Sequence, residues 1–141
     1  MSSLHCMWMF FFHKIIMKPF LKIFIGGEFV TNSSLKTKEG YIIVSNHSSH
    51  VDTMAILCSL PISKIHKLQP VAARDYFGRN KFTSLLSKLF INTLLIDRKG
   101  NKSNALSQMG DALERGMNLL IFPEGSRVTE DELQEFKTGI I

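Results

Sequence analysis

The stretch Asn46-His47-Ser48-Ser49-His50-Val51-Asp52 sets an imidazole and a carboxylate five residues apart, just after the apolar run Tyr41-Ile42-Ile43-Val44. Histidine is the natural general base near neutral pH, and a carboxylate can fix its tautomer and stabilise the imidazolium that forms. The two groups can meet if the chain turns from strand to helix between them, with Ser48 or Ser49 as helix cap. No nucleophilic elbow accompanies the pair, because Ser126 sits in Glu-Gly-Ser-Arg and lacks the Gly-x-Ser-x-Gly pattern. The base would therefore activate a substrate hydroxyl directly. Two other readings fit the same residues. Asp52 could be only a cap beside a satisfied buried histidine. Alternatively, His47, His50 and Asp52 could supply metal ligands, although a closed structural zinc site wants four.

A second polar cluster, Phe122-Pro123-Glu124-Gly125-Ser126-Arg127, follows the apolar run from Met117 to Ile121. Arg127, and Arg98 after the run Thr93 to Ile96, are the natural oxyanion clamps, permanently charged and able to bind in a fork. Glu124 could orient an arginine or accept a substrate hydroxyl. Gly125 lets backbone approach a ligand with no side chain in the way. Taken by itself, this cluster also reads as a polar turn with a surface ion pair.

The elements between these clusters alternate. Strands are predicted at Tyr41 to Val44 (buried), Val71 to Ala73, Thr93 to Ile96 and Met117 to Phe122, with a short one at Phe29 to Thr31. Helices are predicted at Val51 to Leu60, stopped by Pro61, and through Phe82, Leu85, Leu86, Leu89 and Phe90. A third runs through Ala105, Leu106, Met109, Ala112 and Leu113, with Gly116 as its cap. Asn32 to Gly40 reads as a polar surface loop. The alternation implies an α/β fold with a mostly parallel sheet flanked by helices, and ligands collect at the C-terminal strand ends of such sheets. His47, Arg98 and Glu124 to Arg127 all follow strands and can converge there.

A chain of 141 residues holds one modest domain. The net charge of +5 is not gathered into basic blocks interleaved with aromatics, which argues against nucleic acid and suits an anionic membrane or substrate. Cys6 and Cys58 form no disulfide framework, and Cys58 reads as a small core residue in a helix. Residues 1–26 form a distinct segment ahead of the 27–141 domain. From Met7 to Ile25 it is rich in Trp, Phe, Ile, Leu and Met, but Lys14, Lys18 and Lys22 interrupt it at four-residue spacing. No apolar run approaches the roughly 20 residues needed to span a bilayer. A basic amphipathic helix in the membrane interface fits, touching lipid through Trp8, Phe11, Phe12 and the three lysines. Each lysine near an anionic surface would add about 1 kcal/mol. Pro19 suggests a kink or a pair of helices. A core helix with snorkelling lysines is the competing description.

With these residues in view, the chain resembles the glycerolipid acyltransferases, which include glycerol-3-phosphate and 1-acylglycerol-3-phosphate acyltransferases. The family's Asn-His-x4-Asp block is present from Asn46 to Asp52, and its Phe-Pro-Glu-Gly-(Thr/Ser)-Arg block from Phe122 to Arg127. A third, Gly-x-x-Phe-Ile-x-Arg, is matched loosely from Asn92 to Arg98, with Asn92 in place of glycine and Leu95 in place of phenylalanine. The resemblance implies that His47, held by Asp52, deprotonates the acceptor hydroxyl for attack on acyl-CoA or an acyl carrier protein thioester. Arg98, Glu124, Gly125 and Arg127 would bind the glycerol-phosphate part of a lysophosphatidate-like acceptor. No metal and no bound cofactor are implied. The expected setting is a membrane-associated protein with its site on the cytoplasmic side, working in phospholipid synthesis. Phe136 to Ile141 looks like the lead-in to a fourth family block, so the resemblance also implies a C-terminally truncated chain with an incomplete sheet. An inactive relative that only binds membrane or anionic lipid is the alternative expectation.

Overall fold

The structure, a computed structural model, describes residues 2–30, 40–77, 80–97 and 102–125. Four parallel strands form its sheet: β1 (Ile42–Val44), β2 (Leu68–Ala73), β3 (Leu94–Ile96) and β4 (Asn118–Ile121), in the order β1-β4-β2-β3. Parallel strands need long crossovers, and here these are helical. Strand β1 leads through α3 (His50–Ser59) and α4 (Ile62–Ile65) to β2. Strand β2 leads through α5 (Arg74–Phe77) and α6 (Lys81–Ile91) to β3, and α7 (Lys102–Glu114) returns to β4. The first two crossovers step one way along the sheet and the third steps back. Right-handed connection therefore puts α3 and α6 on one face and α7 on the other.

The packing follows that division. Leu120 and Leu68 turn toward Leu57, Leu60 and Ile65, with Ile91 alongside. Leu119 and Ile121 turn to the opposite face, against Met109 and Ala112. Strand β4 is buried on both faces, which explains its unbroken apolar run. Strand β1 is different. It lies at the edge of the described sheet with Ile42 and Val44 exposed, so the buried strand expected from composition is half exposed. Helix α6 also departs from expectation, because only part of its apolar stripe is covered: Phe82, Leu85 and Leu89 are exposed, whereas Phe90 meets the N-terminal helix.

The helix ends are set by side chains that satisfy orphan backbone groups. Ser49 caps α3, its Oγ accepting from the Val51 N–H at 3.2 Å, and Asp52 closes a capping box. Gly116, at φ 72°, ends α7 as expected, with Met117 N–H reaching back to the Ala112 carbonyl. Asn92 ends α6 at φ 56°, and its side-chain amide donates to the His66 carbonyl at 2.9 Å. The position where the family pattern has glycine is thus a left-handed cap. Asparagine is the residue that best replaces glycine in that conformation. The short strand expected at Phe29 to Thr31 is not formed at Phe29 and Val30, and residues 31–39, all of the expected Asn32 to Gly40 loop but its last residue, lie outside the described residues.

The N-terminal segment is a single run of helix past Pro19. It comprises α1 (Ser3–Phe10), a wider π-helical stretch (Phe11–Met17) and α2 (Lys18–Phe24). At the end of the wide stretch Lys18 N–H donates to the His13 carbonyl, five residues back. Loosened turns just ahead of a proline relieve the clash its ring would make with a regular helix. The three lysines of this run differ in their surroundings. Lys14 points inward and donates to the carbonyls of Cys58 and Leu60 at 2.7 and 2.6 Å. Burial, and then neighbouring Lys18, hold its ammonium below the usual lysine range. Trp8 and Phe12 pack edge-on against Phe90. Of the six residues expected to touch lipid, these three are committed to internal contacts. Phe11 and Lys22 are exposed, and Lys18 lies 5.3 Å from the Phe29 ring centre. Among the described residues no helix is long and apolar enough to cross a membrane.

Lys14 thus serves the carbonyl end of α3, where a cation also complements the helix dipole. Lys14→Met should lower stability by about 1–3 kcal/mol, the loss of charge-assisted bonds to carbonyls that then lack a partner. A urea-denaturation midpoint equal to that of the wild type would show that the helix is docked by apolar packing alone. Cys58, buried beside this contact, has its thiol pushed up to about 11 by desolvation and is the inert core residue expected.

Candidate active site

β1 and β4 are hydrogen-bonded neighbours, so the loops leaving their C-terminal ends lie side by side. That adjacency brings together two clusters separated by 77 residues in the chain, because His47 N–H donates to Glu124 Oε2 at 3.0 Å. The β4 loop is folded for this contact. Gly125 N–H donates to the Phe122 carbonyl at 3.1 Å, closing a tight turn with Gly125 at φ 71°. The turn swings Glu124 inward, where it is only 2% exposed. Phe122 lies under the imidazole of His47, with the ring centres 4.1 Å apart and the planes 24° from parallel.

Asp52 approaches from the first turn of α3. Its Oδ2 accepts from the backbone N–H groups of Ser48 and Ser49, both at 2.8 Å, and faces His47 Nδ1 at 3.3 Å. Burial by itself pushes this carboxyl up. The Ser49 and Ser48 amides and the His47 ring outweigh it, so the net shift is downward from the ordinary carboxylate value. An ionised Asp52 can only accept, which makes Nδ1 the protonated nitrogen and leaves the Nε2 lone pair as the basic site. The His47 side chain is 16% exposed, so the ring is not sealed from solvent. The set is one basic nitrogen, a carboxylate behind it, an aromatic ring beneath it and a backbone anchor. It can take a proton from an alcohol or water and hold the resulting cation.

Of the site residues expected from sequence, His47, Asp52, Glu124 and Gly125 are gathered in one place. Arg98 and Arg127 lie outside the described residues, as does Ser126. Strand β3, which leads to Arg98, ends at the same sheet edge but two strand positions from β4, roughly 10 Å at the usual spacing. Sequence reasoning misses Phe122 as the ring beneath the base and Glu124 as a ligand of the His47 backbone. The only available signal is their place in the same short block. His50 lies next to the site, its ring centre 6.4 Å from that of His47. Among the described residues no group of three or more His, Cys, Asp or Glu could hold a metal ion.

The family model for acyltransferases matches residues 28–141. Similar curated proteins include a probable 1-acyl-sn-glycerol-3-phosphate acyltransferase of Mycoplasma pneumoniae, 27% identical over 92% of this chain and 50% of its own length. The 1-acyl-sn-glycerol-3-phosphate acyltransferase of Limnanthes douglasii is 30% identical over 74% of this chain and 36% of its own. The human alpha form is 28% identical over 70% of this chain and 34% of its own. The chain spans half or less of the length of these relatives. No solved structure matches it.

Proposed function

Since this chain belongs to the acyltransferase family, we propose that it carries the catalytic base of an enzyme that moves an acyl group from a thioester onto the free hydroxyl of a lysophosphatidate-like acceptor. The observation that carries this reading is the His47–Asp52 pair, with Nδ1 held at 3.3 Å and the ring partly open to solvent. The Nε2 lone pair takes the hydroxyl proton as the acceptor oxygen attacks the thioester carbonyl. The carbon–sulfur bond then breaks, and the proton passes to the departing thiolate. Asp52 keeps the imidazolium in place between those steps. Acyl-CoA and acyl carrier protein both offer the required thioester. Arg98 and Arg127 are the proposed ligands of the acceptor phosphate.

Membrane association belongs to the same proposal. Leu4, Met7, Phe11, Ile15, Ile23 and Phe24 are exposed along 3–24, and no acidic residue precedes Glu28. An exposed apolar helix flanked only by positive charge suits an anionic bilayer surface, where both acceptor and product reside. The site would then face the cytoplasm, which supplies the donor.

The deciding experiment supplies the chain with acyl-CoA and lysophosphatidate in anionic vesicles and follows free thiol and lipid product together. Thiol and phosphatidate should appear in equal amounts, and only when acceptor is present. Thiol release that ignores the acceptor would replace the proposal with thioester hydrolysis. Vesicle binding without turnover would favour the second reading, a lipid-binding relative, for which the exposed helix is the supporting observation.

A further inference from the structure

Glu124 lies in the block that the family resemblance assigns to acceptor binding, yet its surroundings are those of a support. At 2% exposure it has almost no surface left to offer a glycerol hydroxyl. Its Oε2 is already engaged by the His47 N–H at 3.0 Å. A carboxylate turned toward the acceptor would also repel the phosphate it is meant to help bind, whereas one turned behind the base does not.

The rest of the β4 loop points the same way. Phe122, two residues earlier, supports the imidazole face at 4.1 Å. The turn closed by Gly125 N–H and the Phe122 carbonyl holds Phe122 and Glu124 in one rigid unit. His47 is therefore fixed at three points. Asp52 holds Nδ1 from α3, Phe122 holds the ring face, and Glu124 holds the backbone. The last two come from the same turn. Strand pairing between β1 and β4 sets the distance between that turn and the base.

We infer that Glu124 is a positioning residue that acts through the His47 backbone, and that its carboxylate is not a ligand of the acceptor. The inference rests on the reading of His47 as general base, but its structural half can be measured without turnover. A general base displaced by about 1 Å can cost on the order of 10²-fold in rate, because proton transfer needs hydrogen-bond reach.

The test compares wild type, Glu124→Gln and Glu124→Ala by amide hydrogen exchange at His47 and by steady-state kinetics with varied acceptor. Glu124→Ala should lose protection of the His47 amide and about 10²-fold in kcat, with the acceptor KM unchanged. Glu124→Gln keeps an oxygen that can accept the same N–H, so it should recover most of both. The inference is overturned if the His47 amide keeps its protection in Glu124→Ala. It is equally overturned if both variants raise the acceptor KM and leave kcat alone, as loss of a substrate ligand would. Should Glu124→Ala fail to fold, Glu124→Gln still decides by the same split. If the wild type shows no acyl transfer, the proposed function fails while amide exchange still tells whether Glu124 holds His47.

Discussion

Acyl transfer by His47→Ala should fall by about 10²–10⁴-fold relative to wild type, the usual contribution of a positioned general base. The loss should appear in kcat, because the imidazole meets the acceptor hydroxyl during reaction and contributes little to holding either substrate in the ground state. Stability should change much less. The hydrogen bond from the first loop to Glu124 runs through the His47 backbone N–H, which alanine retains. What alanine removes is the stacked ring over Phe122 and the 3.3 Å contact to Asp52, both on a partly exposed side chain. Matched measurements of kcat and of the urea midpoint separate the two effects. Unchanged turnover would remove His47 from the mechanism and return the cluster to a structural role. A parallel collapse of both quantities would show that the ring is a core element, not a base.

The α/β class, the C-terminal strand ends and the C-terminal ends of α3 and α7 are legible in the sequence alone, because each rests on a local signal. Pro61 stops α3, Gly116 ends α7 at positive φ, and the apolar run of β4 reflects burial on both faces. Strand β2 begins at Leu68, ahead of the Val71 start that the residue pattern predicts. Pro70 lies inside the strand, although proline is a poor interior strand residue. In the fold it sits at the handover where β2 stops pairing with β4 and starts pairing with β3, so its missing donor spoils the middle of neither ladder.

What is not legible depends on contacts across the chain. Strand order cannot be read from an alternation of strands and helices, although the handedness of the crossovers can. A helical wheel that groups Lys14, Lys18 and Lys22 cannot show that Lys14 bonds the carbonyls of Cys58 and Leu60, 44 and 46 residues away. The polar character of its block turns Glu124 toward substrate on paper, whereas its partner lies 77 residues away. Asn92 is the reverse case. As a departure from the family glycine, it counts against the block leading to Arg98. At φ 56° with its side chain bonded to His66 it performs the backbone task that glycine would perform there. The substitution therefore says nothing against the acceptor site.

Asp52 carries two tasks at once, closing the capping box of α3 and holding His47, and variants can pull them apart. Ser49→Ala removes the other half of the cap and should cost about 1 kcal/mol in stability, with turnover largely kept. Asp52→Ala loses cap and base support together, so turnover should fall on the order of 10²-fold or more. Asp52→Asn should fall between them. Two backbone N–H groups at 2.8 Å demand an oxygen at the Oδ2 position, so the amide should orient to keep one there for His47 Nδ1 as well. The tautomer is preserved, and only the charge that stabilises the imidazolium is lost. Acid sensitivity gives an independent check. The folded-state pKa of Asp52 lies below the ordinary value of 3.8, so its ionised form stabilises the fold fully above that pH and progressively less as pH falls through the folded value. The stability gap between wild type and Asp52→Asn should therefore be widest above about pH 5 and close toward more acidic solution. An Asp52→Ala protein that loses only as much stability as Ser49→Ala, and keeps its kcat, would show that Asp52 is a helix cap and nothing more.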